Sequence, residues 1–367
     1  MSGRVICVGS YTPEAGGTGP GLTVFQEEPG VVGGLTRLAE LALPAASFLA
    51  WHPWLPVVYA VNELAEGGLT AVSLERPKEP RPLGSLGTGG AEPCHVAVTP
   101  DGRFALVANY GSGSAAVFSL AADGRLAART DLVAHEGDGP VRDRQEGPHA
   151  HMITLDDTGW LVTVTDLGSD TLWTYRLGTD GTLTRLASSR LPAGCGPRQL
   201  VRGPAPRAYA LAELGGELLA LTEEEPGRFS VLATRPASGR AGEGGQAGTG
   251  DTPGTTSGDT SGNMAAHLEL FGEGGYALAS NRGPDSISLF SLRETPPALL
   301  AEHELGAAWP RHFAFSGERL LVAAQRSDTV IVLRVDPAVP AFTELARYPV
   351  GSPVCVAPRP AGAAAER

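Results

Sequence analysis

The chain has 367 residues, 42% of them hydrophobic, with 49 glycines and 30 prolines. That is enough apolar material for a sizeable core, and a turn content that favours many short strands over long helices. The formal net charge of −12 argues against nucleic acid or an anionic membrane surface as a partner, and no apolar run approaches the ~20 residues that span a bilayer.

In chain order, the N-terminal stretch MSGRVICVGSYT has no charged n-region followed by a long apolar core. It reads as a strand rather than a secretory leader. The segment RVICVGSYT…GLTVFQE (4–27) supplies two strands with none before them. From residue 48 a unit repeats: an apolar strand, a tight turn, a second strand, a polar corner and a third strand. Its copies are FLAWHPWLPVVYAVNELAEGGLTAVSL (48–74), PCHVAVTPDGRFALVANYGSGSAAVFSL (93–120) and PHAHMITLDDTGWLVTVTDLGSDTLWTYRL (148–177). They continue with PRQLVRGPAPRAYALAELGGELLALT (197–222), AAHLELFGEGGYALASNRGPDSISLFSL (265–292) and PRHFAFSGERLLVAAQRSDTVIVLRV (310–335).

The residue closing each second strand falls at Asn62, Asn109, Asp166, Ala212, Asn281 and Ala324, at intervals of 47, 57, 46, 69 and 43 residues. Short strands recurring at roughly 40–50 residues are the signature of propeller blades. The last stretch, SPVCVAP (352–358), is a first strand with nothing after it. Joined to residues 4–27 it completes a seventh blade and closes the ring, which removes exposed sheet edges. The expected fold is therefore all-β, a single seven-bladed β-propeller over 1–367 with one blade built from both termini. The long interval holds residues 236–263, rich in Gly, Ser and Thr. They offer almost nothing apolar to offset ordering entropy, so they are expected to form a flexible loop within the domain, with a lid over the mouth as a secondary reading.

Cys7, Cys94, Cys195 and Cys355 form no CxxC pair, which excludes a zinc ribbon or a sequence-local redox motif. A reduced, cytoplasmic setting is expected, although Cys7 and Cys355 meet if the termini pair.

The topology predicts where polar residues converge. The first strand of each blade lines the channel and the second returns antiparallel, so the start of one and the end of the other share a rim. First-strand starts contribute His95, His149, His151, Arg198, His267, Arg311 and His312. Second-strand ends contribute Tyr11, Asn62, Glu63, Asn109, Tyr110, Asp166, Glu213, Asn281, Arg282 and Gln325. The opposite turns (TPDG, DDTG, SGE) are plain. Ionisable groups gathered at one concave opening are the form an active site takes. Asn62, Asn109, Asp166 and Asn281 recur at equivalent places and suit inter-blade bonding. Arg198, Glu213, Arg282 and Arg311 differ from blade to blade, so the repeat alone does not account for them.

In these stretches the sequence resembles the lactonase family of seven-bladed propellers, which includes propeller-type bacterial 6-phosphogluconolactonases and fungal carboxy-cis,cis-muconate cyclases. The resemblance is carried by VGSYT, VVYAVNE, CHVAVTPDGRFALVANYGSGS, GPHAH…TDLGSD, GCGPRQL, AEL, SNRGPDSISLF and WPRHF. It implies a catalytic set at His151, Arg198, Glu213 and Arg282. Gln199, Ala212, His267 and Ala324 depart from the family's usual residues. The remaining rim residues His149, Arg311, His312, His95, Asn109, Tyr110, His267 and Gln325 are expected to bind substrate.

Hydrolysis of a phosphorylated sugar lactone needs a base, an oxyanion donor and an anion clamp. His151 or Glu213 suits the first, and arginine forks suit the others. A muconate-type cycloisomerase uses the same parts to close a lactone, and an interaction propeller that binds protein on its rim is the non-enzymatic alternative. Neither a G-x-S-x-G elbow nor a base near Cys195 supports a nucleophilic mechanism. His149 and His151 alternate on one strand face, but no further ligand lies near them in sequence, so neither metal nor cofactor is expected. The expected partner is a small anionic lactone or carboxylate.

Overall fold

A computed structural model describes residues 3–240 and 262–360. Most of the 236–263 stretch, and with it the lid reading, lies outside the described residues. Seven four-stranded antiparallel sheets are arranged as blades. Blade 1 has the order Pro353–Pro358, Val5–Ser10, Gly21–Glu27, Leu35–Ala42, so the C-terminal strand is its innermost member. Register pairs Ile6 with Pro358, Cys7 with Ala357 and Val8 with Val356, which closes the ring through both termini. Cys7 and Cys355 sit on adjacent strands of this blade, and all four cysteines are buried and free.

The inner strands of blades 2 to 7 are Ala46–Trp51, Pro93–Val98, Ala150–Leu155, Pro197–Arg202, Met264–Phe271 and Pro310–Ser316. Each contacts the next around the circle, and the last contacts Pro353–Pro358. The second strands end at Asn62, Asn109, Asp166, Ala212, Arg282 and Ala324, within one residue of the expected corners. Every blade also has a fourth, outer strand absent from the sequence reading, such as Arg81–Gly87 and Leu126–Ala134, whose burial pattern is largely exposed.

Apolar side chains of neighbouring sheets interdigitate to form the core. Ile6, Val8 and Phe25 of blade 1 pack on Leu321, Ala323 and Val330 of blade 7. Val57, Tyr59 and Leu69 of blade 2 pack on Val96, Ala105 and Phe118 of blade 3. Truncating one such side chain, as in Ile6→Ala, costs about 2–5 kcal/mol. Among the described residues no helix is long and apolar enough to cross a membrane.

One irregularity recurs in all seven blades. Where the inner strand begins, the register slips by one residue. The residue left over is Val354, Cys94, His151, Arg198, Ala266 or Arg311, and in blade 2 the slip covers Ser47 and Phe48. A β-bulge of this kind re-aims side chains, and it explains how two consecutive residues of one strand both reach the channel.

Candidate active site

The bulge residues form a first ring around the channel, and the residues after them form a second. Ser47, Cys94, His151, Arg198, Ala266, Arg311 and Val354 line a cavity together with Phe48, His95, Gln199, His267 and His312. Its volume is about 20 Å³, enough for a water-sized occupant and far too small for a sugar.

Behind His151 and Arg198 lies Glu213, which is fully buried. It follows the second strand of blade 5, and its N–H donates to Gly196 O at 2.8 Å. Gly196 has φ +58°, and a Cβ there would meet Leu214 Cγ at 2.4 Å, so only glycine permits this corner. Asp170 of blade 4 accepts the N–H groups of Gly194 (2.6 Å) and Gly196 (2.8 Å) and fixes the loop.

Three guanidinium groups converge on the Glu213 carboxylate: Arg198 Nη1 at 2.5 Å, Arg144 Nη2 at 2.6 Å and Arg282 Nη2 at 2.7 Å. Each arginine has a second anchor. Arg198 Nε donates to Ala266 O (2.7 Å), Arg282 Nε to Met264 O (3.0 Å) and Arg144 Nη2 to Tyr110 Oη (3.3 Å). Fixed forks of this kind are pre-organised for carboxylate or phosphate.

His151 lies against this cluster, with Nε2 2.6 Å from Arg198 Nη1. A guanidinium only donates, so Nε2 is the acceptor and the ring proton is on Nδ1. Burial first, and the Arg198 charge second, hold the His151 pKa well below the ordinary 6.5. The imidazole is neutral, with its basic nitrogen at the mouth. Tyr110 meets His151 edge-on (5.7 Å) and stacks on His149 (4.4 Å).

His149 precedes the strand and sits outside the bulge. Its N–H donates to Asp166 Oδ1 at 2.8 Å, and its Nδ1 lies 3.0 Å from Tyr110 O. Both histidines of GPHAH thus face Tyr110, His151 from the bulge and His149 from the residue before the strand.

On the far side of the ring Arg311 lies over Tyr11 (5.2 Å), whose hydroxyl donates to Glu63 Oε1 at 2.7 Å. The structure therefore brings His151, Arg198, Glu213, Arg282, His149 and Tyr110 together, with Arg311 across the cavity. His95, His267 and His312 lie one residue further along the channel, in the second ring. One of the expected substrate contacts is turned into the fold: Asn109 is fully buried in its own blade, where Nδ2 donates to Ser114 Oγ at 3.0 Å. Gln325 keeps the corner of blade 7, where its N–H donates to Trp309 O at 3.0 Å as the Glu213 N–H does to Gly196 O in blade 5.

Sequence reasoning missed Arg144. It belongs to no repeat position but to the connection between blades 3 and 4. There the neighbouring Gln145, fully buried, donates to Leu167 O and Asp170 Oδ1 at 2.8 Å each. That anchor aims Arg144 at Glu213. The 57-residue interval between Asn109 and Asp166, about ten longer than its neighbours, was the available signal.

A family model described as lactonase, seven-bladed β-propeller, matches residues 5–358. The chain belongs to that lactonase family. It is accordingly a lactone-hydrolysing enzyme. A Bacillus subtilis relative named 6-phosphogluconolactonase is 29% identical over 87% of this chain and 88% of its own. One from Formosa agariphila with the same name is 26% identical over 90% and 92%. The solved structure of a Pseudomonas aeruginosa periplasmic gluconolactonase, PpgL, superposes with a TM-score of 0.82 at 25% identity, covering 97% of this chain and 98% of that one. Of the five tryptophans, the one the sequence places beside the clustered rim, Trp309, is not displayed to solvent. Trp309 is 4% exposed and is held between Arg282 (5.3 Å) and Arg326 (3.4 Å).

Proposed function

We propose that this lactonase opens 6-phosphogluconolactone to 6-phosphogluconate at the mouth of the channel, with His151 as base and Arg198 as the donor to the developing oxyanion. The observation that carries this reading is the neutral His151 Nε2, 2.6 Å from a guanidinium that Glu213 holds in place. Glu213 is a weak candidate for the base. Three guanidiniums lie within 2.7 Å of its two oxygens and occupy the lone pairs a water proton would need.

In the proposed step, a water approaches the lactone carbonyl while the carbonyl oxygen takes an N–H from Arg198 Nη1. His151 Nε2, released from that same N–H, accepts the water proton. Negative charge accumulates on the carbonyl oxygen beside a fixed cation, where pre-organised donors act most strongly. Collapse of the tetrahedral intermediate breaks the bond to the ring oxygen, and the proton held on His151 passes to that oxygen. Arg144 and Arg282 are assigned to the anionic arm of the substrate. The names carried by the relatives and this arginine content favour a phosphorylated lactone, and the four free, buried cysteines favour a cytoplasmic setting.

The reading is tested by following lactone loss with purified protein, using 6-phosphogluconolactone and unphosphorylated gluconolactone. We expect acceleration over spontaneous opening, with kcat/KM about tenfold or more in favour of the phosphorylated substrate, the worth of one charge-assisted contact. Equal values would remove the phosphate clamp. No acceleration of either lactone would remove the reaction.

A further inference from the structure

We infer that the three histidines of the second ring, with Ser47, form a binding site for a single monatomic anion such as chloride, inside the channel below the proposed catalytic mouth. The argument rests on which nitrogen of each ring carries the proton.

Ile153 N–H donates to His95 Nδ1 at 3.3 Å, and Val356 N–H donates to His312 Nδ1 at 3.4 Å. A backbone N–H only donates, so both Nδ1 atoms are acceptors. In each case the donor belongs to the next blade, and the contact fastens one inner strand to another. Gln199 follows the same rule, since its Oε1 accepts Leu268 N–H at 2.6 Å. That fixes the orientation of the amide, so Gln199 Nε2 is the donor to His267 Nδ1 at 2.8 Å.

All three imidazoles therefore carry their proton on Nε2. None of the three Nε2 atoms has a protein partner among the described residues, and all three rings line the cavity. The side chains are more than nine-tenths buried, with His95 6%, His267 8% and His312 7% exposed. The His267 and His312 rings lie 3.9 Å apart. Ser47 Oγ, buried at the same cavity, also has no hydrogen-bond partner among the described residues.

Four O–H or N–H donors thus surround a space of about 20 Å³. Buried donors need an acceptor, and a space of this size admits one atom. Arg198 and Arg311 line the same cavity alongside a single carboxylate, Glu63, which already accepts from Tyr11 at 2.7 Å. All four cavity donors present a proton to the same space, which suits an anion and not a cation. A metal ion does not fit this donor set, because it needs the Nε2 lone pair and hence a proton on Nδ1, where backbone donors already point. The rings stay neutral: burial pushes His95 and His312 down to about 3.

The test has three readouts on the full chain. In crystals soaked with sodium bromide, an anomalous peak is expected within hydrogen-bond reach of the three Nε2 atoms. No peak there at a bromide concentration that saturates the thermal shift described next would overturn the site. In solution, replacing an inert large anion with chloride at constant ionic strength should raise Tm by about 2–4 °C, the size expected when a ligand binds only the folded state. His267→Phe keeps the ring against Phe313 and removes one donor, and it should abolish that rise. If His267→Phe fails to fold, Ser47→Ala replaces it and should shift the chloride midpoint several-fold upward. A chloride response equal to wild type in the folded variant overturns the proposal. Finally, ¹⁵N spectra of histidine-labelled protein should show all three rings protonated at Nε2, and a proton on Nδ1 in any of them would contradict the argument.

Discussion

The two rings of the channel are built by the same device and do opposite things with charge. At the bulge positions sit His151, Arg198 and Arg311; Arg198 joins Arg144 and Arg282 on the Glu213 carboxylate, and His151 bonds to Arg198. One residue further along sit His95, Gln199, His267 and His312, which are uncharged and bonded to backbone amides and to one another. The first ring keeps charge buried by pairing it, and the second keeps its titratable groups neutral. Four blades thus supply one residue to each ring from two consecutive positions: Cys94 and His95, Arg198 and Gln199, Ala266 and His267, and Arg311 and His312. The bulge makes this possible, because a regular strand would turn the second residue of each pair back into the sheet.

Glu213→Ala should break this comparison most severely. It leaves three arginines buried without the carboxylate that draws them together, and stability should fall by about 3–5 kcal/mol, read as a lower denaturant midpoint. A loss under 1 kcal/mol would mean that the arginines reach water without it.

The neutral ring should announce itself in the pH dependence of stability. In the unfolded chain His95 and His312 titrate near 6.5, whereas in the fold they are held at about 3. Between these values the unfolded state binds protons that the native state does not, so stability falls as pH drops. The slope is about 1.4 kcal/mol per pH unit for each such histidine. His151 and His267, also held well below 6.5, add in the same direction. Denaturation between pH 7 and pH 5 measures it. A flat profile would show that these rings are already protonated or exposed.

Arg144→Ala should sharpen the comparison with a smaller effect. Two guanidiniums remain on Glu213, so the fold should persist while kcat/KM falls about 10- to 100-fold, the worth of one charge-assisted contact. Unchanged kcat/KM would reassign Arg144 to holding the blade 3–4 connection.

The seven blades, their closure through Val5–Ser10 and Pro353–Pro358, and the shared rim were all legible in the sequence, because short strands at a fixed period leave few alternative folds. Arg198, Glu213, Arg282 and Arg311 stood out because they differ from blade to blade, whereas the choice of His151 came from the family resemblance. The fourth strands, such as Arg81–Gly87, escaped notice because their side chains face water and carry little apolar signal. Arg144 escaped because its direction depends on Gln145 gripping Leu167 and Asp170, a tertiary contact with no local pattern. The two-ring arrangement was hidden as well. Pairs such as Arg311–His312 and Arg198–Gln199 read as ordinary alternation until the register slip shows both residues inward. Asn109 illustrates the reverse case, since its place in the repeat matched the rim while its bonds run to Ser114 within its own blade.

The most direct test of the account is the rate of 6-phosphogluconolactone opening by His151→Asn compared with wild type, at pH 7 and with the fold checked by thermal denaturation. Loss of a general base at the mouth predicts a fall in kcat of about 10²- to 10⁴-fold. A folded variant that turns over within twofold of wild type would contradict the assignment of His151 and, with it, the chemistry placed at the Glu213 cluster.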